Sequence, residues 1–253
     1  MLHRIRVDTH LKHGEGPFQI DRIRPGIGLN LENTGFGGLG LVDHAHLSPG
    51  LVVGMHEHLD DEIVSYLREG TLTHEDSAGN TEKVTPTRLM VMNAGKGFHH
   101  EERIPEAADG GLPVEMLQIF IRPRNAGLEP MVQFVEIGED RTRTGWRLLA
   151  TPDDAPSDGV ATVRQDVYLY DTVMRPDEER DVPFLPGWDR WLYAFDGVVT
   201  LADGSKLSKG EALAMVDEPG EIRLKAHQDT TLVLFQLRRG APVSMAGSLS
   251  RGR

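Results

Sequence analysis

The chain has no cysteine in 253 residues, so it forms no disulfide and offers no thiolate to a metal. Any metal must then be held by histidine, aspartate or glutamate. The same absence fits a reducing cytoplasm, which is the expected compartment. Clustered basic charge is missing too. Lys and Arg number 27 against 39 Asp and Glu, the net charge is −12, and the acidic residues run the length of the chain. A nucleic-acid surface needs massed Lys and Arg against phosphates, so no direct contact with nucleic acid is expected. No stretch approaches roughly 18 apolar residues, so no transmembrane helix and no membrane partner are expected. The opening MLHRIRVDTHLKHGEG has no apolar h-region, so no signal peptide is expected. Helical periodicity is weak almost throughout.

What the chain does have is histidine in pairs. His56 and His58 lie two apart, and about forty residues later comes a His-x-Glu pair, His100 and Glu102. A β-strand sends alternate side chains to one face, so each pair projects two donors in one direction. Two such strands side by side would aim three imidazoles and a carboxylate at one point, a donor set suited to a divalent transition metal. With 11 histidines in the chain, one His-x-His alone carries little weight. Its setting adds weight: Gly50-x5-His56-x-His58-x3-Glu62-x7-Gly70 and Gly95-Lys96-Gly97-Phe98-His99-His100-Glu101-Glu102 bracket both pairs with turn-forming glycines. The doubled His99-His100 and Glu101-Glu102 leave a choice of register. Alternation sends His99 and Glu101 to the opposite face, and the spacing from Gly97 selects His100 and Glu102.

Short β runs punctuated by turns fill the rest, among them Leu51–Leu59, Glu62–Glu69, Leu89–Asn93, Phe98–Arg103 and Glu115–Arg122, with turn signals at Asp76–Asn80 and Ala108–Gly111. The pattern predicts an all-β sandwich or barrel. Residues 151–159, TPDDAPSDG, read as a linker or long loop, after which the pattern returns. Tyr66-Leu-Arg-Glu-Gly70 is echoed by Tyr193-Ala-Phe-Asp-Gly197, and Gln118–Arg122 by Leu234–Arg238. Two similar domains in tandem follow: residues 1–150, residues 151–240, and a flexible tail over 241–253 whose arginines are solvated. Offsets counted from Tyr193 and Met215 put Pro183, Leu185, Arg223 and Lys225 where the first half has its donors. None of the four can replace them, and His227 stands alone, so the second domain is expected to be metal-free.

The stretches GMHEHLDDEIVSYLREGTLTHEDSAGN and NAGKGFHHEE, continuing through VEMLQIFIRPRNAGLEP, resemble the pirin family of the cupin superfamily. The resemblance covers most of the chain. It implies a bicupin, two tandem antiparallel β-barrels of the double-stranded β-helix or jelly-roll type. One divalent metal would sit in the first barrel, with His56, His58, His100 and Glu102 as its ligands. Iron(II) is the first candidate, and manganese, nickel, cobalt, copper or zinc suits the same donors. This chain departs from the family in having Glu57 between the first two ligands, where Pro is usual, and Pro86-Thr87-Arg88 at a turn usually written Pro-Gly-Asp.

The resemblance also implies a function. Some members look like quercetin 2,3-dioxygenases, oxidoreductases that cleave a flavonol ring with O2. On that reading Glu102 is both ligand and catalytic proton acceptor for a small aromatic substrate. The alternative is a non-enzymatic metal-binding regulator of the pirin type with a protein partner; a cupin isomerase or hydrolase stands third. Glu62 is expected to orient a ligand imidazole from behind, or else to cap a strand end at the barrel rim. His44 and His46 read as loop or edge residues, and His74 as exposed beside a hairpin turn. Phe98, Met90, Met92 and Phe120 read as packed core.

Overall fold

The inner strands are apolar on both faces, and this decides the architecture. In Glu62–Glu69, Ile63 and Leu67 point one way while Val64 and Tyr66 point the other, and all four are buried. A strand of that kind belongs to a sheet covered on both sides. The computed structural model, which describes residues 1–29, 35–138 and 145–251, shows two jelly-roll domains packed through their larger sheets.

In the first domain the large sheet runs Met131–Glu136, Arg88–Asn93, Glu62–Glu69, Val114–Ile121, Leu39–Leu47, Phe18–Ile23, Leu11–His13. It faces a four-stranded sheet of Val52–His58, Phe98–Arg103, Leu72–Asp76 and Thr81–Val84. The second domain repeats the plan. Its large sheet runs Leu2–Ile5, Ala212–Met215, Trp188–Asp196, Thr230–Arg238, Val167–Met174, Arg147–Pro152, Ala161–Val163. Its small sheet holds Glu179–Asp181, Arg223–Ala226, Val198–Leu201 and Lys206–Ser208. Each domain is thus a sandwich of two sheets rather than a closed barrel, all-β and antiparallel but for the parallel pair of Arg147–Pro152 with Ala161–Val163. The sequence echoes coincide with the repeat: the Tyr66 and Tyr193 strands hold the same place in their sheets, as do Val114–Ile121 and Thr230–Arg238. One offset was misplaced. The counterpart of Val52–His58 is Glu179–Asp181, upstream of Pro183 and Leu185.

Three apolar clusters follow from the two-faced strands. Ile63, Leu67, Met90, Met92, Phe98 and Met116 fill the first sandwich. Leu192, Ala194, Leu213, Leu232 and Leu234 are among those filling the second. The third lies between the domains, where Val64, Tyr66, Leu117 and Ile119 meet Trp191, Tyr193, Val233 and Phe235. Buried polar bonds cross the same seam: Tyr66 Oη donates to Asp171 at 2.7 Å, and Tyr193 Oη and His44 Nδ1 share a hydrogen bond of 2.7 Å.

The domain boundaries differ from those expected at both ends of the chain. Leu2–Ile5 joins the second domain, pairing with Ala212–Met215 at the edge of its sheet. The strand Arg147–Pro152, cut by a boundary at residue 150, belongs to that sheet as well. The tail, expected to be flexible, is tied back to the first domain: Ser244 N donates to Pro123 O, and Ser248 N to Leu59 O at 2.9 Å. Ser248 Oγ in turn accepts Leu59 N at 2.7 Å, and Leu249 N donates to Asp61 Oδ2. Each terminus therefore docks on the other half.

Candidate metal centre

Strand pairing brings the two histidine pairs together. Val52–His58 and Phe98–Arg103 are neighbours in the small sheet of the first domain, with His100 opposite His56 and Phe98 opposite His58. The imidazole centroids lie 4.4 Å apart for His56 and His100, 4.8 Å for His56 and His58, and 5.1 Å for His58 and His100. One nitrogen of each falls within 4.8 Å of the others. At Gly95, just before the second pair, φ is +49° and an added Cβ would stand 2.1 Å from Leu128 O, so only glycine allows this turn.

The register puts His100 and Glu102 inside, 0% and 4% exposed, and His99 outside. Pairing with Val52–His58 slips between His100 and Glu102, so Glu102 stands opposite Val53 rather than Gly54. Glu102 accordingly groups with His100 and His74, within 4.8 Å, and not within that span of all three imidazoles. Burial alone pushes its carboxyl up to about 7. Burial likewise drives His58 down to about 4, with His56 adding repulsion, and drives His100 far below its ordinary value. The latter two imidazoles are therefore neutral at pH 7 and present lone pairs.

Their hydrogen bonds show where those lone pairs point. A carbonyl can only accept, so His56 Nδ1 donates to Gly54 O at 2.9 Å, which leaves Nε2 as the nitrogen a metal could take. His58 Nδ1 and Nε2, His100 Nε2 and Glu102 Oε1 are buried with no hydrogen-bond partner. Orphaned buried polar atoms are costly and rare, and a free lone pair on each of His58 and His100 beside the Glu102 oxygen calls for a cation. The donor set of imidazole and carboxylate fits a divalent transition metal.

Other expectations need correction. His74 is fully buried rather than exposed, and His44 lies inside a central strand of the large sheet, not in a loop or at an edge. His44, His46 and Glu115 also cluster, but Glu115 is already occupied. It accepts from His44 Nε2 at 2.9 Å, from Arg68 and from Lys209, bonds that outweigh burial and hold its carboxyl well below the usual range. Two cations beside it leave no place for a third. Phe98, Met90 and Met92 are core, whereas Phe120 is only partly buried, its ring 6.1 Å from that of His58.

Glu62 does not orient an imidazole. It is fully buried and takes Arg164 N at 2.9 Å, Arg164 Nε at 2.8 Å and Asn93 Nδ2, so it ties the first domain to the chain entering the second. Sequence reasoning preferred it because it follows His58 closely, but four residues on a strand also place it past a turn and on the other sheet. Glu62→Ala would leave the Arg164 guanidinium without its carboxylate and cost about 3–5 kcal/mol of stability. Affinity for nickel(II), read by titration of the folded variant, is expected to stay within about threefold, since the bond network lies outside the histidine cluster. A large loss of metal with unchanged stability would return Glu62 to the site. The residues that sequence reading missed are His74 and Asp76. Their own i, i+2 spacing, on the strand paired to the other side of His100, was the available signal.

The Pirin family matches residues 34–121, and the quercetinase C-terminal cupin domain matches residues 148–237. A quercetin 2,3-dioxygenase from Escherichia coli strain K12 is 32% identical over 203 residues, 80% of this chain and 84% of that protein. The crystal structure of YhhW from Escherichia coli superposes with a TM-score of 0.82 at 28% identity, covering 96% of this chain and 99% of the other. The bacterial pirin YhhW in complex with nickel(II) gives 0.80 at 28% identity, covering 96% and 100%. Fold and sequence are similar over most of the chain, and the chain belongs to the pirin family of two-domain cupins.

Proposed function

We propose that this chain is a metal-dependent dioxygenase that cleaves a flavonol of the quercetin type with O2. The observation that carries the reading is the convergence of three imidazoles beside a buried carboxyl, with their free nitrogens and its Oε1 unpartnered. His56 and His100 through Nε2, His58 through a ring nitrogen and Glu102 through its carboxylate would hold the ion. Iron(II) is the first to test and nickel(II) the second, given the nickel in a bacterial pirin. When bound, the ion supplies Lewis acidity to a flavonol oxygen and redox capacity toward O2.

The chain's own residues supply the rest. Glu102, a carboxylate once it holds the ion, would take the proton of the flavonol hydroxyl. Phe120 offers an aromatic wall 6.1 Å from His58 against which a flat ring can lie. Glu57 and His99, each about half exposed and 4.0 Å apart, stand on the outer face of the same two strands.

Oxygen uptake with quercetin, measured after anaerobic loading with iron(II) or nickel(II), tests the reading. Uptake is expected with metal, and its loss is expected in His56→Ala/His58→Ala. Tight metal binding without uptake would replace the dioxygenase by the regulatory alternative. Absence of metal binding would remove the site.

A further inference from the structure

Behind His100 lies a polar chain that the proposed ligand set does not use. His74 and Asp76 sit on Leu72–Asp76, the strand paired to the far side of Phe98–Arg103, with Asp76 opposite His100 and His74 opposite Glu102. Alternation puts all four side chains on one face. His74 is 0% exposed and Asp76 6%. We infer that Asp76 and His74 form a positioning relay that locks His100 in the tautomer with a bare Nε2, and that His74 is not itself a ligand.

The argument runs outward from the carboxylate. Asp76 Oδ1 accepts Ala78 N at 2.9 Å and Asn80 N at 3.1 Å, and Asn80 Nδ2 reaches both oxygens, so the hairpin turn fixes the group in place. Burial would raise this carboxyl, but those bonds and the one to His74 leave it below its ordinary value, hence ionised. An ionised carboxylate only accepts, so His74 Nε2, 2.9 Å from Asp76 Oδ2, carries the proton. With its one N–H committed to Asp76, the His74 ring offers the lone pair of Nδ1 on its other side. That lone pair faces His100 Nδ1 at 3.3 Å, and one of the two nitrogens must donate. Only His100 has a proton to give there. Its Nε2 is left as a bare acceptor, buried and without a partner.

Both nitrogens of His74 are thus engaged, which removes it as a ligand although it stands within 4.8 Å of His100 and Glu102. Its ring is held from the sides by Phe98, 6.4 Å away and near parallel, and by Phe134, 5.6 Å away and edge-on. His56 has its tautomer set by a backbone carbonyl instead, and His58 has nothing to set its own. Partners behind a metal-bound imidazole fix its orientation and raise its basicity, and losing them typically costs about 10–100-fold in metal affinity.

The affinity arm rests on the metal-site reading; the tautomer arm does not. Two-bond 1H–15N spectra of the histidine side chains in metal-free protein are expected to show His100 protonated at Nδ1 alone. In His74→Phe, which keeps a ring between Phe98 and Phe134, His100 is expected to move toward the Nε2–H form. Titration with nickel(II) should weaken about 10–100-fold. His74→Gln keeps an acceptor for His100 Nδ1 and is expected to recover part of both effects. Wild-type His100 protonated at Nε2 overturns the inference without any variant. So does a His74→Phe protein with unchanged tautomer and unchanged affinity. If the tautomer shifts but wild type binds no nickel(II), iron(II) or zinc(II), the metal reading fails and the relay stands.

Discussion

Metal-free Glu102→Gln is expected to gain stability relative to metal-free wild type by about 3 kcal/mol as pH rises from about 4.5 to about 7, and to lose oxygen uptake when loaded with metal. Burial raises the Glu102 carboxyl from 4.5 to about 7, so the folded chain holds this proton more tightly than the unfolded one. The stabilisation is complete below the unfolded value near 4.5 and is lost as pH climbs through about 7. A difference of some 2.5 units corresponds to about 3 kcal/mol between the two limits. A domain pair of this size would register that as a fall of roughly 6–12 °C in the melting temperature of wild type relative to the variant. Glutamine cannot ionise, so the gap between the two profiles should widen across this window, while His58, His100 and Asp61 contribute equally to both. Their fixed offset at low pH reports only the exchange of a neutral carboxyl for an amide. Parallel profiles from pH 4.5 to 8.5 would show that Glu102 is not the buried acid the structure describes.

A bound ion reverses the sign of this cost. It pairs with the carboxylate, so metal binding displaces the Glu102 proton below about pH 7, and affinity should rise about tenfold per pH unit there and level off above. His58 and His100 titrate well below this window and contribute little above pH 5. The variant should bind more weakly, with a shallower slope. A group that destabilises the empty fold and stabilises the loaded one fits a functional residue better than a structural one.

The sequence made the fold legible because strand periodicity and two-faced apolarity are local properties. Ile63 and Leu67 against Val64 and Tyr66 can be read from eight letters, and so can the paired spacing of His56/His58 and His100/Glu102. What was not legible depends on pairing between distant strands. His74 looked exposed because it precedes a turn, yet its strand lies between Phe98–Arg103 and Thr81–Val84, where both edges are covered. His44 looked like a loop or edge residue because no second donor pair matched His44 and His46. Its burial is tolerable only because Tyr193 and Glu115, 149 and 71 residues away, satisfy both ring nitrogens. Glu62 failed for the converse reason: nearness in sequence to His58 concealed a sheet-to-sheet turn that points it at Arg164.

Trp191→Ala is expected to destabilise both domains together, by about 3–5 kcal/mol, in a single transition. Trp191 is fully buried at the seam, stacked on Tyr193 at 5.7 Å and 7° and edge-on to Phe235 at 5.6 Å. The cluster it belongs to draws strands from both large sheets, so a cavity there removes packing from each half at once. The exchanged termini add a second coupling: opening the second domain frees Leu2–Ile5, and opening the first frees the tail at Leu59. Urea unfolding followed by near-ultraviolet circular dichroism and by the His100 side-chain resonance should therefore give one midpoint, lowered in the variant with its slope unchanged. Two midpoints, with His100 still native after the second domain has melted, would mean that the halves merely abut. The single midpoint would instead make the second domain a structural requirement of the first: its large sheet buries Val64 and Leu117 on the same strands whose opposite faces, through Ile63 and Met116, pack the interior of the histidine-bearing sandwich.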